Sequence, residues 1–249
     1  MLVLGIDTSG KTASCALCTE DTVLAQNTFV TKLTHSQVIM PMCKKMLSDA
    51  GKTLSDVEGF AAVSGPGSYT GLRIGIAAVK GLCFGLDKKC AGISSLMSLA
   101  YNYKGVFPCR GTFPEGSGEF VIFPVMHARQ DLVYNALFTA DGNRIVRERD
   151  DCITPESRLI EELSQTSRNV ILTGDYAETL YSAVKDKNSR ISIAPPTMRA
   201  PLASSLCYAA MDVGFIMADE LNAEYLQITK AEKDLNEAQG KNKQTPLPK

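Results

Sequence analysis

The residues best suited to chemistry stand near the start of the chain, in Ile6-Asp7-Thr8-Ser9-Gly10-Lys11-Thr12. An aspartate ending a first strand can hold a magnesium ion through water, and the hydroxyls after it can bond phosphate oxygens. The same residues can equally form a polar turn in which Asp7 and Ser9 bond their own backbone. A second loop, Ser64-Gly65-Pro66-Gly67-Ser68-Tyr69-Thr70-Gly71-Leu72-Arg73, joins an apolar run to a helical one. It lacks the Gly-Lys-Ser/Thr ending of a P-loop, but a strand-to-helix junction of this kind can present backbone N–H groups to an anion. Its glycines can also answer steric needs alone. Asp7, Thr8, Ser9, Gly65 and Gly67 are therefore the candidate nucleotide-facing residues.

Other catalytic arrangements are missing from the sequence. His35 and His127 are the only histidines, and neither has a companion at metal-ligand spacing. No G-x-S-x-G nucleophile motif occurs. Cys15-Ala16-Leu17-Cys18 has C-x-x-C spacing, but the stretch alternates, so a strand points the two sulfurs to opposite faces. The mixed charges from Asp141 to Asp151 read as a solvated strand and turn.

The elements around the two loops fall into two similar series. In the first, strands over residues 2–7, 12–19 and 23–30 precede a helix over 35–50, opened by a Thr34/Gln37 capping box. Pro41 should kink that helix or delay its start. A strand over 59–63, a helix over 71–86, a strand over 90–93 and a helix to about 103 follow. The second series has strands over 120–126, 132–139 and 144–149, then a helix opened by Thr154-Pro155-Glu156 with proline at its first position. A strand over 170–173, a helix toward 185, a strand over 191–193 and a long amphipathic helix over 201–218 complete it.

An offset of 120 residues superposes Ala16 on Ala136, Leu17 on Leu137, Thr19 on Thr139 and Asp21 on Asp141, which together with the repeated element order supports an internal duplication. Two copies of β-β-β-α-β-α-β-α describe an α/β, duplicated actin-like (ASKHA, ribonuclease-H-like) fold. The expected lobes are residues 1–104 and 119–229, with the last helix packing back on the first lobe. A Gly/Pro-rich linker over 105–118 and a polar, disordered tail over 230–249 are also expected. Where Asp7 ends the first strand of one half, His127 ends it in the other, so a phosphate clamp built from both halves is lopsided.

Bulk properties narrow the function. The 249 residues are 45% hydrophobic and 21% charged, an ordinary globular composition. A net charge of −1 argues against a chain that grips a phosphate backbone unaided. Eight cysteines without a basic, apolar leader point to a reducing cytoplasm. The most apolar stretch, 74–86, is interrupted by Lys80 and too short to span a bilayer. In the helix after the second loop, Gly71, Gly75, Ala78, Gly81 and Gly85 recur three or four apart. Each glycine costs about 1 kcal/mol of helix stability relative to alanine. Close backbone packing can offset that cost, against the chain's own sheet or against a partner's helix. Met40, Met42 and Met46 on the preceding helix are either an adaptable binding surface or an ordinary core stripe.

GIDTSGKTASCAL, THSQVIMPM, AAVSGPGSYTGLRIGIAAVKGL, GISSLMSLA, MHARQDLVYNALF, TGD and EYLQ, in this order over residues 1–229, resemble the landmarks of the bacterial TsaB (YeaZ) family. The block 64–81 is the most specific. The resemblance implies a catalytically silent relative of TsaD, which transfers threonylcarbamoyl to adenosine 37 of tRNA. TsaD-like proteins carry a metal-binding H-x-x-x-H motif; Ser95 and Leu99 take its two positions here, so the resemblance implies no metal site and no peptidase chemistry.

It further implies a heterodimer with a TsaD homologue, action together with the TsaE ATPase, and a homodimer when alone. Contact with tRNA is implied only through the complex. No cofactor is expected to be tightly bound, with ATP or ADP acting in the assembled complex. The implied pairing face lies on the helices over 35–50 and 71–86, with His35, Ile39, Met42, Met46, Arg73, Ile74, Gly75, Ala78 and Leu82 as its residues. A usual M-D-A-R-R reads Met126-His127-Ala128-Arg129-Gln130, and a usual Y-L-R reads Tyr225-Leu226-Gln227; both weaken a nucleotide role for the second half. The competing reading is an actin-fold ATP-dependent phosphotransferase or ATPase using Asp7 and the Ser64–Gly71 loop.

Overall fold

The structure, a computed structural model, describes residues 1–30, 33–106, 120–141 and 143–227. Two five-stranded sheets of the same topology form its two lobes. In the first, β1 (Val3–Asp7) pairs antiparallel with β2 (Thr12–Cys18), and β2 with β3 (Val23–Val30). Parallel β4 (Gly59–Gly65) and β5 (Lys89–Ser94) lie on the other side of β1. In the second, β6 (Phe120–His127) pairs antiparallel with β7 (Leu132–Asp141), β7 with β8 (Arg144–Pro155), and parallel β9 (Asn169–Thr173) and β10 (Ile191–Ile193) follow. The order β3-β2-β1-β4-β5 is thus repeated as β8-β7-β6-β9-β10. This is the duplicated actin-like architecture.

Strand alternation sorts the first sheet into two packed faces. Leu4, Ile6, Cys15, Leu17 and Phe60 meet α1 (His35–Asp49) and α2 (Tyr69–Leu86). Val3, Ala16, Cys18 and Ala61 meet α7 (Ala203–Val213) on the opposite face. The two sulfurs of the C-x-x-C spacing therefore enter different cores, as the alternation requires. A Cβ on Gly5 would stand 2.7 Å from Cys207 Sγ, so the glycine lets α7 lie flat on β1. The second sheet is covered on one face by α4 (Glu156–Gln165) and α5 (Ala177–Val184). Its other face takes Leu96, Leu99 and Ala100 of α3 (Ser95–Ala100). Each lobe thereby receives a helix from the other half of the chain.

Several sequence expectations change. In place of the long helix over 201–218 stand α7 and a non-helical run after Gly214, whose φ is +99°, and a short α6 (Pro196–Arg199) precedes them. That run pairs Ile216 with Cys90 and carries Ala218 and Leu221 into the first core, which stops the helix. Strand β8 reaches Pro155, beyond the expected 149, because β7 pairs with it throughout and Arg147 bonds Asp151 within it. Proline 155 accordingly caps α4 from outside. The Thr34/Gln37 capping box is formed, with Thr34 N–H donating to Gln37 Oε1 at 3.3 Å. Helix α1 runs continuously past Pro41. Most of the expected linker and the expected tail lie outside the described residues.

Candidate functional site

Between the lobes lies an open cleft of about 630 Å³. It is walled by the two hairpin loops (Ser9–Lys11 and His127–Arg129), the loop Pro66–Tyr69, and the chain's segment Glu224–Gln227. Lys11 and Arg129 bring positive charge to it; Asp175 and Glu224 bring negative. His127 donates its backbone N–H to Asp175 Oδ1 at 2.9 Å, and its ring lies 5.6 Å from that of Tyr176.

Only two of the five candidate nucleotide-facing residues, Ser9 and Gly67, line this cleft. Asp7 is buried, and its Oδ1 accepts the backbone N–H of Ser9 at 2.9 Å and the Ser9 hydroxyl at 2.7 Å. Burial raises the Asp7 pKa above its ordinary 3.8, opposed by those two bonds and by nearby His35. Its Oδ2 is buried without a hydrogen-bond partner. Thr8 donates its hydroxyl to the carbonyl of Gly71 at 2.7 Å, and Gly65 packs against the Glu224 carbonyl. The Oδ1 bonds of Asp7 are those of an internally bonded turn, and its Oδ2 stays without a partner.

Gly67 earns its position sterically, since a Cβ there would stand 2.6 Å from the Ser9 carbonyl oxygen. Ser68 N–H donates to that oxygen at 2.8 Å and the Ser68 hydroxyl caps α2, accepting from Gly71 N–H at 3.3 Å. The two loops are thus one welded unit.

The helices of the implied pairing face divide cleanly. Ile39 and Met46 are buried at 1% and 2% exposure, packed on the first sheet. Gly75 faces the same way, against Thr8 and Ile6. These three, expected on a pairing face, are held by the chain's own core and do not reach the surface. His35 is half-buried, with Nδ1 3.2 Å from the Thr8 carbonyl. Met42, Ile74, Ala78 and Leu82 are partly buried along the same cluster. Arg73 is exposed.

The outward stripe of α2 is Arg73, Ala77, Gly81 and Phe84, the last 67% exposed. A Cβ on Gly81 or Gly85 would meet nothing within 4 Å. The helix therefore carries two sets of small residues, one fitted to its own sheet and one facing outward. Ala77 and Phe84 escaped the sequence reading. Their signal was phase: both follow Arg73 at helical spacing on the side away from Leu72, Ile76 and Val79.

At the N-terminal end of α2, Tyr225 stacks on Tyr69 with ring centroids 4.9 Å apart. The Arg73 guanidinium lies 4.0 Å from the centre of the Tyr69 ring, and its Nε donates to the Tyr225 hydroxyl at 3.0 Å. No spacing in the sequence could have joined residues 152 positions apart.

The Ser95 hydroxyl donates to the Pro66 carbonyl at 2.6 Å, and Leu99 is fully buried beneath the second sheet. These two positions do not fit a metal ion: one donor is engaged and the other residue has none. Among the described residues no group of three His, Cys, Asp or Glu could hold one. Among them, too, no helix is long and apolar enough to cross a membrane.

Residues 22–237 match the family described as TsaD: tRNA N6-adenosine threonylcarbamoyltransferase. The tRNA threonylcarbamoyladenosine biosynthesis protein TsaB of Bacillus subtilis is 29% identical over 240 residues, covering 96% of this chain and 100% of that protein. Its counterpart of the same name in Escherichia coli is 31% identical over 175 residues, 70% of this chain and 71% of that one. The solved structure of YeaZ from Pseudomonas aeruginosa superposes with a TM-score of 0.72 at 25% identity, covering 90% of this chain and 99% of that one. The chain belongs to the TsaB (YeaZ) family of tRNA threonylcarbamoyladenosine biosynthesis proteins.

Proposed function

We propose that this chain is a non-catalytic scaffold subunit, which pairs with a TsaD homologue through the outward faces of α1 and α2. In the pair it supports, together with the TsaE ATPase, the transfer of threonylcarbamoyl to adenosine 37 of tRNA. The observation that carries the non-catalytic reading is the pair Ser95 and Leu99. A hydroxyl committed to Pro66 and a leucine in the core stand where a catalytic relative would need two metal ligands.

The outward stripe of small residues ending in Phe84 supports the docking part. An exposed Phe on a helix of small side chains offers apolar area and close backbone approach together. When no TsaD homologue is present, a second copy of this chain takes the same face. The internally bonded Asp7 turn favours a lone chain without tightly bound nucleotide, ATP or ADP acting in the assembled complex. The setting is the cytoplasm, where its tRNA substrate is modified. tRNA is held chiefly by the other subunits, in keeping with the net charge of −1.

Reconstitution tests this reading. Purified TsaD homologue, TsaE and the enzyme that makes threonylcarbamoyl-AMP are combined with tRNA, with and without this chain, and modified adenosine is scored. The scaffold reading expects modification to depend on the chain and the chain alone to give none. Full modification without it overturns the reading.

A further inference from the structure

The segment after α7 touches both lobes and the docking helix. Glu224 donates its N–H to the carbonyl of Ser64 at 2.8 Å, at the end of β4 in the first lobe. Three residues on, Gln227 Oε1 accepts from the Tyr134 hydroxyl of the second lobe at 3.4 Å. Between these anchors Tyr225 stacks on Tyr69 and accepts from Arg73 Nε, and both of those side chains belong to α2. The segment is therefore a strap across the mouth of the inter-lobe cleft, and its central fastening sits at the edge of the face assigned above to the partner.

Arg73 is exposed, while Tyr69 and Tyr225 are 42% and 38% exposed. A cation over an aromatic ring and a hydrogen bond both strengthen when water is excluded from them. A protein seated on the N-terminal half of α2 would exclude water from this cluster.

We propose that the Tyr69–Arg73–Tyr225 cluster couples the docking face to the cleft: a partner on α2 tightens the strap and holds the two lobes at a fixed opening. The proposal rests on the reading of α2 as the docking helix. Linkage makes the coupling reciprocal, so whatever secures the strap also favours the partner. Tyr225 acts here as a positioning residue, through Tyr69 and Arg73.

Backbone hydrogen exchange of the full chain tests this, free and with saturating TsaD homologue. Two peptides decide: one over α2 and one over residues 220–227, which contains the Glu224 amide. In the unmodified chain the partner should protect α2 and slow exchange in 220–227 about tenfold, within the usual range of coupling between sites. In Tyr225→Ala the strap peptide should exchange faster in the free chain, and saturating partner should protect α2 without slowing 220–227. Tyr225→Phe, which keeps the ring and loses the hydroxyl, should lie between the two.

Protection of α2 with no change at 220–227 in the unmodified chain overturns the coupling and leaves the docking face standing. Equal slowing in Tyr225→Ala also overturns it, because the partner then covers the strap directly. No protection of α2 overturns the docking face itself, and the coupling with it.

Discussion

Gly75 and Thr8 are fitted to each other: a Cβ on the glycine would stand 2.6 Å from the Thr8 hydroxyl oxygen. That hydroxyl in turn holds the Gly71 carbonyl. Gly71 and Gly75, one turn apart on α2, and the residue that follows β1 are thus closed into one contact. Gly81, on the opposite side of the helix, meets nothing. The two glycines should respond oppositely to enlargement. Gly75→Leu should lower the melting transition of the lone chain, at about 1–3 kcal/mol for overpacking. Gly81→Leu should raise the melting transition slightly, by relieving up to about 1 kcal/mol of helix cost, and weaken pairing with the TsaD homologue roughly tenfold to a hundredfold. Calorimetry beside an affinity measurement checks both. Unchanged pairing in Gly81→Leu would place the interface elsewhere.

Asp7 predicts a pH dependence. Its folded pKa lies above its unfolded value, chiefly through burial. The sign follows: its contribution to stability is complete below about pH 3.8 and is lost as pH rises through the raised value. Asp7→Asn keeps an acceptor oxygen for Ser9 and removes the charge. The stability of Asp7→Asn minus that of the unmodified chain should therefore grow as pH rises from 4 towards neutrality. Urea unfolding of both proteins across that range is the check, and a difference that stays flat with pH contradicts the assignment.

Restoring one histidine should not restore a metal site. Leu99 is fully buried among Leu96, Phe120 and Ile122 in the core under the second sheet. Leu99→His replaces core packing with a ring whose nitrogens lack partners, costing about 2–5 kcal/mol. The variant should unfold at lower urea and take up no stoichiometric zinc. Tight zinc in a variant of undiminished stability would reopen the question of a catalytic site.

The lone chain should bind tRNA weakly. With a net charge of −1, counterion release offers little free energy. Filter binding at physiological salt should give a Kd well above about 1 µM, closer to non-specific values. Submicromolar binding would mean that a local basic surface outweighs the overall charge.

Features fixed by neighbours in sequence were legible from the residues alone. The Thr34/Gln37 cap and the opposite facing of Cys15 and Cys18 follow from spacings of three residues. The duplicated topology was legible too, because hydrophobic period and element order repeat. The end of α7 was not. Phe215, Ile216 and Met217 continue an apolar pattern that reads as helix, and only pairing with Cys90 shows why the chain leaves it. In the candidate site, the sequence left Asp7 between two roles, since either uses the same carboxylate; the structure adds that Ser9 bonds Oδ1 and that Oδ2 has no partner. The Tyr69–Tyr225 stack joins residues from the first and second halves of the chain, beyond the reach of any local pattern.

The placement of α7 has a consequence for how the protein is made. Val3, Ala61 and Ile93 need Ala203, Leu206 and Ala210 to cover them, and those are among the last residues of the fold to be synthesised. When residue 106 leaves the ribosome, the face under α1 and α2 has its own helices and lacks only Ala218 and Leu221, while the other face is still open. About a hundred more residues must follow, on the order of ten seconds at cellular rates of translation. During that interval the nascent chain carries a bare apolar sheet face, a natural substrate for chaperones attending the ribosome. A fragment ending near residue 106 would keep that face open permanently, so the first lobe should not be obtainable as a stable domain by itself.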